Sequence, residues 1–301
     1  MSNDQQVLKL RTLLGDYPNV MPLKRGEVKS PRLTFDFADV KVPNTAFKRV
    51  VRDLEFDFSE LAIATFLQAK AWNKPLALLP AVVVGGKAQH ASIAYNIDRG
   101  TLAPKDIVGR RVGIRASSQT TVMWVRGILK NDYGVDIDRI KWVTFEDPHV
   151  PEYSDPPNCE RAPAGKNIKT MLLEGELDAA SLTAEDLKHP KLRSLIPEPE
   201  AAAREWVKKH GTLPMNHVLI VKQSLLKEHP WAVKEIFGLV AEAKKRAGFP
   251  TSPDFDPYTL GVETNRRGLE VAIQYAHQQH VIPRSFTVDE LFDEVTGALG
   301  K

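Results

Sequence analysis

The chain lacks most of the features that assign a protein to a specialised class. Its 301 residues include one cysteine, Cys159, so no intramolecular disulfide can form, and a reducing compartment is expected. No apolar run approaches the roughly 20 residues that a membrane-spanning helix needs. The N-terminal sequence MSNDQQVLKL has no basic segment followed by an apolar one, so no secretory signal is expected. These absences predict a cytoplasmic protein.

Charge and sequence motifs are equally sparse. Lysine and arginine total 41 against 38 acidic residues, and this net charge of +3 is too small and scattered to predict nucleic-acid binding. The metalloprotease pattern HExxH, paired CxxC motifs, the P-loop and the dinucleotide-binding GxGxxG after a strand are all absent. Nothing in the sequence demands a metal, a flavin or a nicotinamide, so no cofactor is expected.

What is present is the composition of an α/β protein of about two domains. Hydrophobic residues make up 43% of the chain and charged residues 26%, which is typical of globular proteins. The first hundred residues alternate strands and helices, which favours a mostly parallel sheet flanked by helices. Ser59 and Glu60 are predicted to cap a helix over residues 61–71, after a short strand at 56–58. Near the end of the chain, a capping pattern predicts a helix over residues 287–297.

Residues 107–135 give the clearest local pattern, which is a strand, a polar turn and a helix. The strand is predicted over residues 111–115, and helical apolar spacing begins at Val122. Ser117 and Ser118 are good candidates to cap the helix. A helix that begins in this way presents unpaired N–H groups and positive potential, which favour a carboxylate or phosphate. An ordinary strand–helix turn remains the alternative.

The turn and the helix after it supply the candidate substrate-binding residues. Those of the turn are Arg115, Ser117, Ser118, Gln119, Thr120 and Thr121. Arginine suits a carboxylate because its guanidinium can donate two parallel hydrogen bonds. Trp124 is a candidate to stack on an aromatic ring, with a core position as its alternative. Arg126 is a candidate second cation, with a surface charge as its alternative.

Several stretches resemble known proteins. Residues 103–135 resemble the entry to the second domain of type 2 periplasmic-binding-protein folds, and MLLEGELDAASL at 171–182 resembles another element of that fold. More narrowly, FDFSELAIATFL at 56–67, VGIRASSQTTVMWVRGIL within the 107–135 block, and residues 213–237 resemble the 4,5-dihydroxyphthalate decarboxylase family. The pattern departs from that family at 147–165, a proline-rich segment.

The resemblance implies a two-lobed α/β fold with a ligand cleft between the lobes. Lobe 1 is expected to be discontinuous, with residues 1–98 plus 215–301, and lobe 2 to comprise residues 99–214. Each lobe is expected to hold a mostly parallel sheet flanked by helices. Ligands of such sheets bind beyond the carboxyl ends of the strands.

The resemblance also selects the candidate catalytic residues. His217 and His90 are the candidate acids, because histidine titrates near neutral pH and can deliver a proton to a substrate. Glu60 is a candidate to orient a histidine or to accept a hydrogen bond from a ring hydroxyl. A packing or surface role is the alternative for each histidine, and a stabilising charge in the first helical turn is the alternative for Glu60. His149, in the divergent segment, is a candidate ligand contact.

The function implied is a cofactor-independent decarboxylase of a dihydroxylated aromatic dicarboxylate in phthalate degradation. The expected partner is therefore a small aromatic carboxylate, and no nucleic acid or membrane is expected. One alternative is a substrate-binding protein, for transport or sensing, that takes a similar ligand without reaction. Another is an enzyme of thiamin-precursor type on the same fold, which no cysteine cluster or histidine-rich run supports. The oligomeric state stays open, with a homo-oligomer among the alternatives.

Overall fold

A computed structural model describes residues 7–86, 89–252 and 255–301. Its strands are β1 (Leu8–Leu13), β2 (Leu33–Phe37), β3 (Phe58–Ala62), β4 (Leu76–Gly85), β5 (Ile93–Asn96), β6 (Arg111–Ile114), β7 (Lys141–Thr144), β8 (Cys159–Arg161), β9 (Ala179–Ser181), β10 (Leu192–Ser194) and β11 (Met215–Lys222). Its helices are α1 (Met21–Lys24), α2 (Ile63–Ala71), α3 (Thr120–Tyr133), α4 (Ile168–Glu174), α5 (Pro199–His210), α6 (Gln223–Glu228), α7 (Pro230–Arg246) and α8 (Val262–Gln278). None of the helices in these ranges has both the length and the apolar composition needed to cross a bilayer.

The chain divides into two compact units. Unit 1 comprises Met1–Gly86, Met215–Glu270 and Phe286–Lys301, and unit 2 comprises Lys87–Pro214 and Val271–Ser285. Both units are therefore discontinuous in sequence. This division differs from the one expected from the sequence, because unit 2 begins earlier and includes a segment near the C-terminus.

Unit 1 is built on a five-stranded sheet in the order β2-β1-β3-β11-β4. β1 pairs in parallel with β2 and β3, whereas β11 runs antiparallel to β3 and β4. Its core combines the apolar residues of these strands with one face of α7, including Phe58, Leu219 and Ile236. The strand β11 therefore lies between β3 and β4 in the sheet, although it begins 130 residues after the end of β4 in the chain.

Unit 2 contains a six-stranded sheet in the order β10-β5-β9-β6-β7-β8. β6 is parallel to β7 and β9, and β8 is parallel to β7, while β5 is antiparallel to β9 and β10. One core cluster includes Val143, Leu172 and Ala180. The proline-rich segment at 147–165, which departs from the family pattern, thus contributes an edge strand, β8.

Two local predictions are wrong. Glu60 does not cap a helix, because it lies within β3, where it pairs with Leu219 of β11, and α2 begins only at Ile63. The helix predicted over 287–297 is replaced by two 3-10 turns, Asp289–Leu291 and Thr296–Ala298. The predicted capping contacts between Thr287 and Glu290 do form. However, the Asp293 carboxylate accepts hydrogen bonds from two later backbone N–H groups and so starts a new turn.

Gly127 in α3 gives a test of the packing in unit 2. A Cβ at this position would lie 2.0 Å from Cδ2 of Tyr275, whereas a Cβ at Gly238 in α7 would meet no atom within 4 Å. We expect Gly127→Ala to lower the free energy of unfolding by about 1–3 kcal/mol through overpacking. Gly238→Ala should raise it by up to about 1 kcal/mol, because alanine favours a helix. Urea unfolding of both variants measures these changes, and a stabilising Gly127→Ala would contradict the packing described.

Candidate functional site

A carboxylate and an imidazole meet on one face of the sheet in unit 1. Glu60 of β3 pairs with Leu219 of β11, and His217 pairs with Ala62. Because side chains two residues apart on a strand point to the same face, Glu60 and His217 are diagonal neighbours. Their side chains touch, with 2.6 Å between Glu60 Oε2 and His217 Nδ1. The pairing of two distant strands therefore assembles the site.

The Glu60 side chain is completely buried and is surrounded by hydrogen-bond donors. The backbone N–H of Gly15 donates to Oε1 at 2.6 Å, and the Tyr17 hydroxyl donates to Oε2 at 2.9 Å. Burying a carboxylate is costly unless hydrogen bonds replace its water shell. The N–H of Gly15, the Tyr17 hydroxyl and Nδ1 of His217 together occupy the hydrogen-bonding positions of this carboxylate.

His217 is half-buried, with 18% of its side chain exposed. Phe47, which is fully buried, lies edge-on to the imidazole with 5.1 Å between ring centroids and limits its rotation. If Nδ1 carries the proton donated to Glu60, the tautomer places a lone pair on Nε2. Nε2 has no hydrogen-bond partner within the described part of the chain. This nitrogen can therefore exchange a proton with a bound molecule.

The strand that carries His217 is irregular at this point. The register between β11 and β4 shifts at each step from Met215 to Leu219. Pro80 lies within β4 and has no N–H for the ladder, which accounts for part of the irregularity. Strand bulges are frequent beside active sites, where they re-aim a side chain. His217 sits at such a bulge.

The predicted anion-binding turn lies in unit 2, between β6 and α3. The predicted caps, Ser117 and Ser118, do not cap the helix: Gln119 takes the N-cap position, and its side chain makes no capping bond. Both serines are buried. The Ser117 hydroxyl instead binds other side chains of unit 2. It accepts hydrogen bonds from Arg126 Nη1 at 3.3 Å and from the Tyr153 hydroxyl at 3.1 Å. Thr120 is buried as well, whereas Gln119 and Thr121 are partly exposed.

The two arginines of this region differ in their surroundings. Arg115 forms an ion pair with Glu146, with 3.2 Å between Nε and Oε2, and keeps a third of its side chain exposed. Arg126 is almost completely buried, and burial lowers the pKa of its guanidinium. It donates to the carbonyl of Ser117 and lies 5.5 Å from the ring of Trp142, but it has no acidic partner in the described ranges. Arg126 is therefore not the surface charge that was its alternative.

Three other predicted site residues lie elsewhere in unit 2. Trp124 is fully buried between Trp206 and Tyr275, which is the core position given as its alternative. His149 is half-buried in the segment after β7. His90 is 2% exposed and occupies a short 3-10 turn that packs against α3 and α5. Burial lowers the pKa of His90 to about 4, against the opposing charge of Asp132.

The structure therefore brings Glu60 and His217 into contact and adds two residues that sequence reasoning missed. Gly15 and Tyr17 reach Glu60 across more than 40 residues of chain, and no motif spacing signals that contact. No group of three or more His, Cys, Asp and Glu side chains suited to a metal ion occurs among the residues described.

Comparison with known proteins gives two curated relatives, both named 4,5-dihydroxyphthalate decarboxylase. The protein of Comamonas testosteroni is 30% identical, over 74% of this chain and 71% of its own length. That of Pseudomonas putida is 28% identical, over 66% of this chain and 81% of its own length. No family model matches the chain.

Among solved structures, the chain is similar to the periplasmic aliphatic sulphonate binding protein SsuA from Escherichia coli. The TM-score is 0.61 at 11% identity, over 95% of this chain and 92% of that one. At this identity the similarity concerns the fold alone. The predicted fold class, an α/β protein of the periplasmic-binding-protein type, is confirmed.

The buried His90 gives a prediction for the pH dependence of stability. Its pKa falls from 6.5 to about 4 on folding, so the unfolded chain binds more protons between these values. Stability should therefore be retained above pH 6.5 and fall as the pH drops towards 4, by about 1–2 kcal/mol at pH 5. Urea unfolding at pH 7 and pH 5 measures the loss, which His90→Gln should reduce.

The matched control for His90 is His277, which is exposed in the same unit. His277→Gln should leave the loss of stability between pH 7 and pH 5 unchanged. An equal loss in the unaltered protein and in His90→Gln would show that His90 is not buried as a neutral side chain.

Proposed function

Because the chain belongs to the 4,5-dihydroxyphthalate decarboxylase family, we propose that it removes CO2 from a dihydroxylated aromatic dicarboxylate of the 4,5-dihydroxyphthalate type. The family membership rests on the relative that is 30% identical and is matched over 71% of its length. The proposed reaction replaces one ring carboxylate by hydrogen, so it needs a source of one proton. It is the reaction of a carboxy-lyase that works without an organic cofactor.

The observation that carries this proposal is the contact between Glu60 and His217. Loss of CO2 from a hydroxylated ring is easiest when a proton first adds to the carbon that bears the leaving carboxylate. Histidine is suited to that task because its ordinary pKa is close to neutral pH. A buried carboxylate 2.6 Å from Nδ1 holds the ring in one orientation, with Nε2 on the side away from Glu60.

The proposed reaction has two steps. A ring hydroxyl donates electron density into the ring, and the carbon that bears the carboxylate takes a proton from Nε2 of the imidazolium form of His217, which leaves a neutral ring protonated at Nδ1. The bond between that carbon and the carboxylate then breaks, its electron pair restores the aromatic ring, and CO2 leaves. The imidazole regains a proton from solvent, so one proton is consumed for each CO2 released. Glu60 does not enter the bond changes.

The turn between β6 and α3 is proposed to bind a carboxylate in unit 2. α3 is 14 residues long, and its first turn carries the positive end of the helix dipole. The buried Arg126 adds a positive charge directly below the turn, through its contact with the carbonyl of Ser117. The roles of Arg115, Thr121 and His149 in binding the ligand stay predictions.

Replacing either member of the Glu60–His217 pair should abolish most of the turnover. We expect His217→Gln to lower kcat by about 100-fold or more, because the proton donor is lost. Glu60→Gln should lower kcat by a smaller factor, because the ring loses its orienting charge while Nε2 remains. CO2 release from 4,5-dihydroxyphthalate, followed together with ultraviolet spectra, measures both effects.

The matched control for these variants is His277→Gln, which removes an exposed histidine of unit 2 and should leave kcat unchanged. Turnover by His217→Gln at the rate of the unaltered protein would remove His217 from the reaction. His90→Gln then tests the other candidate acid, although the burial of His90 favours a packing role.

Turnover should survive EDTA, since the proposed acid is an imidazole and not a metal-bound water. Turnover that is lost with EDTA and restored by a divalent cation would make His217 and Glu60 metal ligands. An absence of turnover with every dihydroxybenzoate and phthalate tested, together with a ligand-dependent rise in melting temperature, would favour the binding-protein alternative. The cytoplasmic location and the oligomeric state stay predictions.

A further inference from the structure

We propose that Tyr17 is a positioning residue of the active site, which fixes the Glu60 carboxylate and through it the orientation and tautomer of His217. The inference rests on the proposed function and deepens it. Tyr17 does not contact the imidazole itself through any hydrogen bond described above. It acts on the reaction only through the oxygen atom of Glu60 that it shares with His217.

The shared atom is Glu60 Oε2. It accepts a hydrogen bond from the Tyr17 hydroxyl at 2.9 Å and faces His217 Nδ1 at 2.6 Å. The other carboxylate oxygen, Oε1, is held by the backbone N–H of Gly15 at 2.6 Å. A carboxylate bound at both oxygens by groups of one loop cannot rotate about its terminal bond without breaking a hydrogen bond. The loop after β1 therefore sets the plane in which Glu60 meets the imidazole.

Gly15 allows Tyr17 to take this position. A Cβ at residue 15 would lie 2.7 Å from Cζ and 2.8 Å from the hydroxyl oxygen of Tyr17, which is closer than real Cβ atoms come to other atoms. Glycine is needed here for the close approach of a ring to the backbone rather than for an unusual backbone angle. The sequence Gly-Asp-Tyr thus supplies two donors to one carboxylate within three residues.

The backbone of Tyr17 is fixed on both sides. Its N–H donates to the carbonyl of Gly15 at 3.1 Å, and its own carbonyl accepts from the N–H groups of Val20 and Met21, each at 3.0 Å. Lys24 donates to the carbonyl of Leu14 at 2.7 Å and pairs with the side chain of Asp16. The loop is therefore rigid where it carries the phenol, as a positioning role requires.

The phenol acts as a donor and not as an acid. Burial raises the pKa of the Tyr17 hydroxyl well above its ordinary range, and the negative charge of Glu60 raises it further. A hydroxyl that stays protonated has one hydrogen to donate, and Glu60 Oε2 receives it. The same hydrogen bond keeps Oε2 of Glu60 facing Nδ1 of His217, so that the carboxylate can accept the proton of Nδ1 and Nε2 is left for the substrate.

The first test is Tyr17→Phe, which removes one hydroxyl and keeps the ring. We expect kcat for CO2 release to fall about tenfold, the loss that corresponds to one hydrogen bond to a charged group. KM should stay within about twofold, because the residue does not touch the substrate. The matched control is Tyr258→Phe, a partly buried tyrosine of the same unit whose ring packs on Phe249, and this change should leave kcat unaltered.

The second test is Gly15→Ala, which should displace the phenol and lower kcat by a similar factor. In a Tyr17→Ala background the added methyl group has no ring to displace. The two changes should therefore be strongly non-additive, and the double variant should be no slower than Tyr17→Ala alone. Full additivity would contradict the idea that Gly15 acts by admitting the phenol.

A third measurement does not depend on turnover. Nitrogen-15 NMR of histidine side chains reports which ring nitrogen carries the proton, and the His217 signals are identified by their absence from His217→Gln. In the unaltered protein the neutral ring should be protonated at Nδ1, and in Tyr17→Phe it should be a mixture of tautomers. A neutral ring protonated at Nε2 in the unaltered protein would overturn the proposal, even if the Tyr17 variants fail to fold.

These outcomes separate the inference from the function on which it rests. If the unaltered protein releases no CO2, but its His217 is the Nδ1 tautomer and becomes a mixture in Tyr17→Phe, the proposed function is contradicted and the positioning role of Tyr17 is supported. An active protein in which Tyr17→Phe matches the unaltered kcat contradicts the positioning role and leaves the function intact. A fall in kcat with a melting temperature close to that of the unaltered protein supports the role, because mere structural damage would lower both.

Discussion

The site depends on the cost of burying the charge of Glu60. A carboxylate with no exposed surface is tolerated only where hydrogen-bond donors replace water, and here the donors come from separate parts of the chain. The loop after β1 provides an N–H and a phenol, and β11 provides an imidazole. Because Glu60 lies in the middle of β3, these parts must assemble around it when the sheet of unit 1 forms. The contact between Glu60 and His217 therefore belongs both to the packing of this sheet and to the proposed reaction.

Unit 2 holds a buried charge of the opposite sign under different conditions. Arg126 lies below the β6–α3 turn without an acidic partner in the ranges described, and its contacts are the carbonyl and hydroxyl of Ser117 and the face of Trp142. Burying a cation without an opposite charge beside it costs free energy, and hydrogen bonds offset only part of that cost. The proposed purpose is to favour an anion at the turn. Tyr153, whose pKa burial raises to about 12, stays protonated and ties the proline-rich segment to the same serine.

The sequence predicted the fold class and the residues Glu60 and His217, but not the secondary structure in which Glu60 lies or the hydrogen bonds that it forms. Alternating strands and helices, together with the resemblance of three stretches, were sufficient for the α/β fold. Ser59 and Glu60 looked like a helix cap because those residue types favour caps. In the structure Glu60 pairs with Leu219, about 160 residues away in the chain, and is therefore part of a strand. Local propensity contains no information about pairing between such distant residues.

Sequence reasoning found His217 because its surroundings matched a family pattern, and it found His90 for a similar reason. The structure separates the two, since His217 has a partly exposed ring beside a carboxylate and His90 is enclosed between helices. Tyr17 was missed because it lies in a loop next to Pro18, where nothing in the spacing marks it. Its contact with Glu60 joins residues that are 43 positions apart in the sequence, and only the folded chain brings them together.

The most direct test of the account is chemical rescue of a His217→Gly variant. That variant should release almost no CO2 from 4,5-dihydroxyphthalate until imidazole is added. The rate should then rise with imidazole concentration, and it should vary with the pKa of substituted imidazoles, as expected for proton transfer in the rate-limiting step. A His217→Gly variant that is as active as the unaltered protein without imidazole would contradict the claim that Glu60-bound His217 delivers the proton.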